Sequence, residues 1–226
     1  EGFLPEKEEA ETMSGTASIL ACENPIFDRQ LTKQILEKIR EAKRPVILAG
    51  TGVRLSGAYD SFLACIETLQ IPVVTAWNAH DLLWDTHPLY CGRPGSVGTR
   101  GGNFIVQNSD VLLVLGCRMN IRQISYNYRE FAQNAYKIVV DIDEAELNKP
   151  TVHVDLKVHA DVADVMKQIV MAVTDSPKEY GKAEAGKHKE WLDWCRNINE
   201  KYPAALDKYY EKDSPVNPYA FLKEFS

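Results

Sequence analysis

Four short segments carry residues whose types and spacing could do chemistry on a phosphate or a nucleotide. Val46-Ile47-Leu48-Ala49 runs directly into Gly50-Thr51-Gly52, a turn in which the backbone can bend tightly and come close to a phosphate. A glycine turn that merely joins a strand to a helix would read the same way. The dinucleotide fingerprint GxGxxG needs its third glycine at 55, where Leu55 stands. The next apolar run ends in Thr75-Ala76-Trp77, without the acid that grips a ribose 2′-hydroxyl. Both departures speak against a nicotinamide-dependent dehydrogenase.

The segment 91–103, CGRPGSVGTRGGN, is the strongest local signal, with glycine at 92, 95, 98, 101 and 102, five of the 13 in the chain. Glycine at that density costs folding entropy, which points to the close approach of a ligand or of another backbone. Charge adds to it. From Thr86 to Arg129 the basic residues are Arg93, Arg100, Arg118, Arg122 and Arg129 and the only acid is Asp110, a local net of +4 in a chain that totals −6. Arginine's planar fork suits phosphate oxygens better than lysine's point charge, although an arginine-rich subunit interface has the same composition. Two further apolar runs exit into polar residues. One gives Gly116-Cys117-Arg118-Met119-Asn120-Ile121-Arg122 and the other Asp141-Ile142-Asp143, where Asp141 could accept from ribose or adenine or serve as a turn or cap acid. There is no GxSxG elbow, complete P-loop, HExxH pair or spaced set of metal carboxylates, so no catalytic residue and no metal ligand is assigned.

The elements that must position these segments follow from hydrophobic spacing. Leu31, Ile35, Leu36 and Ile39 form a helical stripe behind Asp28, a candidate cap, and Pro45 ends it. Residues 46–49 form an apolar run without alternation, which suits a strand covered on both faces; 71–75 reads as a second buried strand, and 110–115, 137–142 and 152–158 as three more. Helices are predicted over 56–69, 99–108, 124–134 and 162–173, the last behind Asp161. Strands separated by helices of this length pair in parallel through crossovers, which predicts a doubly wound α/β domain over 30–174. Ligands bind such sheets beyond the carboxyl ends of the strands, where all four segments lie.

The flanks have another character. Residues 1–29 mix Glu, Lys, Thr, Ser and Pro and read as a linker arm. Residues 175–226 hold a charged stretch, a helix around Trp191–Ile198 and an aromatic tail whose rings are expected to pack on a neighbouring domain. Acidity argues against nucleic acid or an anionic membrane as partner. No run reaches the ~18 apolar residues of a membrane span, and the first residues are acidic, unlike a secretion signal. The cysteines, at 22, 65, 91, 117 and 195, suggest neither a disulfide framework nor a zinc site, and a cytoplasmic protein is the simplest expectation.

In order and spacing, RPVILAGTGVRLSGA, IPVVTAWNAHDLLWDTHPLYCGRPGSVGTRGGN, QNSDVLLVLGCRMNIRQIS and KIVVDIDEAELNK resemble the central domain of thiamine-diphosphate-dependent enzymes, most closely the acetolactate synthase large-subunit group, from Arg44 to about Asp164. The resemblance implies a Rossmann-like sheet of about six parallel strands whose loops hold FAD in some members and ADP in others. By matching motif, Gly50, Thr51 and Gly52 would face the pyrophosphate, and Thr75, Ala76 and Trp77 would border the flavin. Pro94, Gly95, Ser96 and Val97 would line the next stretch. Gly116, Cys117, Arg118, Asn120 and Arg122 would surround the ribityl and phosphate portion, with Asp141, Ile142, Ala160, Asp161 and Val162 near the adenosine. The flavin pattern has Met-His at Ser96-Val97, Asp at Asn120 and usually Gly at Ala160.

The same resemblance implies that thiamine diphosphate and magnesium are held by amino- and carboxyl-terminal domains, and the chain contains neither the Asp-Gly nor the Asn-Asn of their motif. Residues 30–174 are then the non-catalytic middle of an enzyme that decarboxylates a 2-oxo acid and ligates the product, assembled as a homodimer or homotetramer. The alternative is a stand-alone nucleotide-binding or sensing module without thiamine chemistry.

Overall fold

The computed structural model describes residues 28–177, 186–211 and 215–225. Most of the amino-terminal arm lies outside the described residues. The core begins with helix α1 (Arg29–Glu41), whose first turn is capped by Asp28, its carboxylate accepting from Gln30 N at 3.1 Å. Strand β1 (Pro45–Ala49) follows, then α2 (Gly52–Leu55), α3 (Tyr59–Leu69), β2 (Val73–Thr75), α4 (Arg100–Asn108), β3 (Val111–Leu115), α5 (Ile121–Ile124), β4 (Tyr136–Asp141), α6 (Glu144–Asn148), β5 (Leu156–His159) and α7 (Val162–Asp175). Beyond the core lie α8 (Lys189–Lys201) and α9 (Pro218–Phe225).

The strands form one parallel sheet in the order β2-β1-β3-β4-β5. Every residue of β1 and β3 is buried, which requires helices on both faces and explains why their sequences show no alternation. On one side α7 packs against α1 and α3, and elsewhere α4 packs against α8. The sheet has five strands among the described residues, where about six were expected, and an isolated parallel bridge lies against its β2 edge. Leu89 O accepts from Val73 N, Cys91 N donates to Val73 O, and Tyr90 bridges to Val73 in parallel. The chain leaves β1 for one edge at β2 and returns across it to β3, so the winding reverses between β1 and β3. That reversal opens a crevice past their carboxyl ends.

Two helices differ from the expected ones. The span 56–69 is helical only from Tyr59, because Gly57 turns left-handed (φ +67°) between α2 and α3. The span 124–134 holds no continuous helix. Asn120 caps the short α5, Ser125 ends it at φ +67°, and only the 3-10 turn Tyr128–Glu130 follows. In the tail, Trp191 and Tyr202 pack on this chain's own core: the Trp191 Nε1–H donates to Pro45 O at 3.0 Å, and Tyr202 meets Phe104 edge to face. Tyr219, Phe221 and Phe225 on α9 are exposed.

Candidate functional site: a crevice at the sheet reversal

The exits of β1 and β3 touch. Gly52 N donates to Gly116 O at 3.0 Å, and a β-carbon on Gly52 would lie 2.7 Å from the Gly116 α-carbon. A β-carbon on Gly50 would fall 2.2 Å from Gly116 O. Two backbones at this separation admit no side chain between them, so the Gly-Thr-Gly turn is first a packing requirement and only then an exposed rim.

Above that contact lies a cavity of about 270 Å³ lined by ten residues. Eight are ones that sequence motifs had picked out: Thr51, Gly52, Gly116, Arg118, Asp141, Ile142, Asp161 and Val162. The other two, Leu55 and Ser56, carried no motif. Leu55 stands where the dinucleotide fingerprint requires glycine and is 86% exposed, and Ile142, on the same cavity, is 52% exposed. Two bare apolar side chains at the rim suit the faces of a flat ring.

The charged groups are fixed from below. Asp141 ends β4, and its carboxylate accepts from Asp143 N at 3.0 Å. Burial pushes its carboxyl above the ordinary value, a shift that the Asp143 N–H opposes and that nearby Glu146 and Asp143 reinforce. Asp161 caps α7, accepting from Ala163 N at 2.8 Å. Arg118 reaches Glu146, its Nε donating to Oε1 at 2.6 Å, and this contact holds the guanidinium above its ordinary pKa.

The remaining residues from the sequence lie elsewhere. Gly50, Thr75, Ala76, Cys117 and Ala160 are buried beneath the crevice floor or at the strand ends. Trp77 is exposed, away from the cavity lining. Pro94, Gly95, Ser96 and Val97 are tied to the β3 exit loop: Ser96 N donates to Arg122 O at 2.8 Å, and Gln123 Nε2 to Pro94 O at 3.3 Å. Asn120 is occupied as the α5 cap, accepting from Arg122 N. The arginines do not converge. Arg100 stands over the Tyr202 ring, and Arg118 is the one of the five that lines the crevice.

The glycines of 91–103 serve close packing within the chain. A β-carbon on Gly102 would meet the Arg93 backbone at 2.6 Å, and one on Gly101 would meet Asn199 of α8 at 2.3 Å. The structure displays close approach of other parts of the chain at that segment, backbone at Gly95, Gly98 and Gly102 and side chains at Gly92 and Gly101.

A parallel sheet with helices on both faces and a crevice at the strand reversal defines a doubly wound, Rossmann-like α/β domain. Residues 32–169 match the model of the thiamine pyrophosphate enzyme central domain, and the chain belongs to that family. It is 36% identical over 200 residues to the probable acetolactate synthase large subunit of Methanococcus aeolicus, covering 87% of this chain and 32% of that protein. It is 34% identical over 215 residues to the acetolactate synthase isozyme 1 large subunit of Escherichia coli, covering 95% and 35%. A 2-hydroxyacyl-CoA lyase 1 of Dictyostelium discoideum is 27% identical over 188 residues. The chain spans about a third of the length of the curated relatives it matches.

Among the described residues no group of three or more His, Cys, Asp or Glu could hold a metal ion, and no helix is long and apolar enough to cross a membrane.

Proposed function

We propose that residues 30–174 are the nucleotide-binding central domain of a thiamine-diphosphate-dependent enzyme of the acetolactate synthase kind. In the whole protein a 2-oxo acid is decarboxylated and its remaining carbon unit transferred to an acceptor, with thiamine diphosphate and magnesium held by flanking domains. Residues 1–29 and 175–226 are the linkers toward those domains, and the enzyme is a cytoplasmic homodimer or homotetramer. Thiamine diphosphate supplies the carbanion chemistry, and this domain supplies scaffold and one wall.

The observation that carries the nucleotide role is the convergence at the β1–β3 reversal of an apolar rim, Leu55 and Ile142, with a buried carboxylate, Asp141, and one exposed cation, Arg118. The rim suits adenine, the carboxylate suits ribose hydroxyls, and the cation suits a phosphate. A volume of about 270 Å³ suits the adenosine end of either ADP or FAD. Calorimetric titration of the chain with adenosine, ADP and FAD tests this. All three are expected to bind in competition, and binding of none of them overturns the nucleotide role.

The docking of α8 through Trp191 favours one feature of the alternative, a module whose tail packs on itself. Sedimentation separates the two: a stand-alone module is a stable monomer, whereas a central domain with α9 exposed self-associates.

A further inference from the structure

We propose that Glu146 is a positioning residue for anionic ligands of the crevice: it holds one edge of the Arg118 guanidinium so that the other edge faces the ligand's phosphate. The inference rests on the nucleotide reading above and adds a residue that does not itself line the crevice. The Arg118 side chain is 78% exposed, so packing does not fix it. Its Nε and Nη2 lie 2.6 and 2.5 Å from the same Glu146 oxygen, while the other Glu146 oxygen accepts from Lys149 Nζ at 2.9 Å. Lys149 also donates to the Arg118 carbonyl, so the backbone and the head of Arg118 are tied to one short stretch of chain. The Glu146 side chain is only 14% exposed and cannot follow an arginine that swings away. A guanidinium has five donors, and a carboxylate on one edge leaves the outer edge free.

A second cavity explains why such a hold is needed. It measures about 430 Å³, is bordered by Arg118 and Glu146, and extends over Met119, Ile124, Tyr128 and Thr151. Arg118 stands between the two cavities. Released from Glu146, it has the second one to turn into, and a ligand would have to recover that lost order on binding. The crevice itself holds two acids, Asp141 and Asp161, against this single cation, so an anion depends on where Arg118 points.

Positioning and bulk charge predict opposite signs, which makes the proposal decidable. Removing a carboxylate should help an anion bind if only net charge matters. With ADP and adenosine as probes in calorimetry of the whole chain, Glu146→Ala is expected to weaken ADP about tenfold while leaving adenosine unchanged. Glu146→Gln, whose amide oxygen still accepts from Nε, should restore ADP affinity to within about twofold. Arg118→Lys, which keeps charge but not the fork, should lose about as much as Glu146→Ala. The double variant Glu146→Ala with Arg118→Ala should bind no worse than Arg118→Ala alone. ADP bound equally well or more tightly by Glu146→Ala overturns the proposal, as does full affinity in Arg118→Lys. Adenosine binding without any gain for ADP in the unaltered chain sinks the positioning role alone. Binding of neither probe sinks the nucleotide reading, and the proposal falls with it.

Discussion

The Asp141 carboxylate sits at the end of β4 with 9% of the residue exposed and one backbone N–H as its partner. Burial raises its pKa above the ordinary 3.8, so the folded chain holds that proton more tightly than the unfolded chain. The resulting contribution to stability is present below the unfolded value and is lost as pH rises through the folded one. Asp141→Asn therefore removes a buried charge at neutral pH while its amide oxygen can still accept from Asp143 N. The variant is expected to melt ~2 °C higher at pH 7 and to show no gain near pH 3, read by calorimetry. If the carboxylate accepts from ribose, the same variant loses about tenfold in adenosine affinity. The glycines allow a sharper contrast. Gly52→Ala forces a β-carbon against the Gly116 backbone and should cost about 1–3 kcal/mol in urea unfolding and close the crevice. Gly57→Ala, at φ +67° with nothing within 4 Å, should cost only about 1 kcal/mol and leave binding intact.

Among elements, α8 fastens the glycine-rich segment. Its Asn199 lies against Gly92 and Gly101, and its Trp191 donates to the Pro45 carbonyl at the start of β1. Trp191→Phe keeps the ring and removes the donor, leaving a buried carbonyl without that bond. An expected loss of about 1–2 kcal/mol, together with faster proteolytic cleavage within α8, checks this. Such contacts mark the border of what the sequence reveals. The positions of β1 to β4 and the caps Asp28 and Asp161 were legible because they depend on neighbours within a few residues, through apolar runs and side chains that reach the next turn, whereas the strand expected over 152–158 forms only from Leu156. The use of Gly101 was not, because its partner Asn199 is far along the chain and glycine reports only that something comes close. The break after α5 was equally hidden. Ser125 and Ala132 take positive φ, which neither residue type announces. Eight of the ten lining residues were legible, the strand exits from pattern and Ile142, Asp161 and Val162 only through the family resemblance, but Glu146 was not, as its role exists only through Arg118.

The central-domain model covers residues 32–169, and the relatives it resembles are about three times as long. A diphosphate bound through a divalent cation needs oxygen ligands converging on that cation, commonly carboxylates, carbonyls and water. Of the acidic residues around the crevice, Asp161 caps α7, Asp143 caps α6 and Glu146 is shared by Arg118 and Lys149, which leaves Asp141 as a single carboxylate there. The sequence also lacks both the Asp-Gly and the Asn-Asn pair that the resemblance implies for cofactor binding. The chain is therefore expected to bind adenosine and ADP yet leave thiamine diphosphate unbound in equilibrium dialysis with magnesium present. Retention of thiamine diphosphate by the 226-residue chain would overturn the assignment of that cofactor to flanking domains, whatever the outcome with nucleotides. Retention only when the flanking domains are supplied on the same polypeptide would show that the crevice and the thiamine site belong to separate parts of one enzyme.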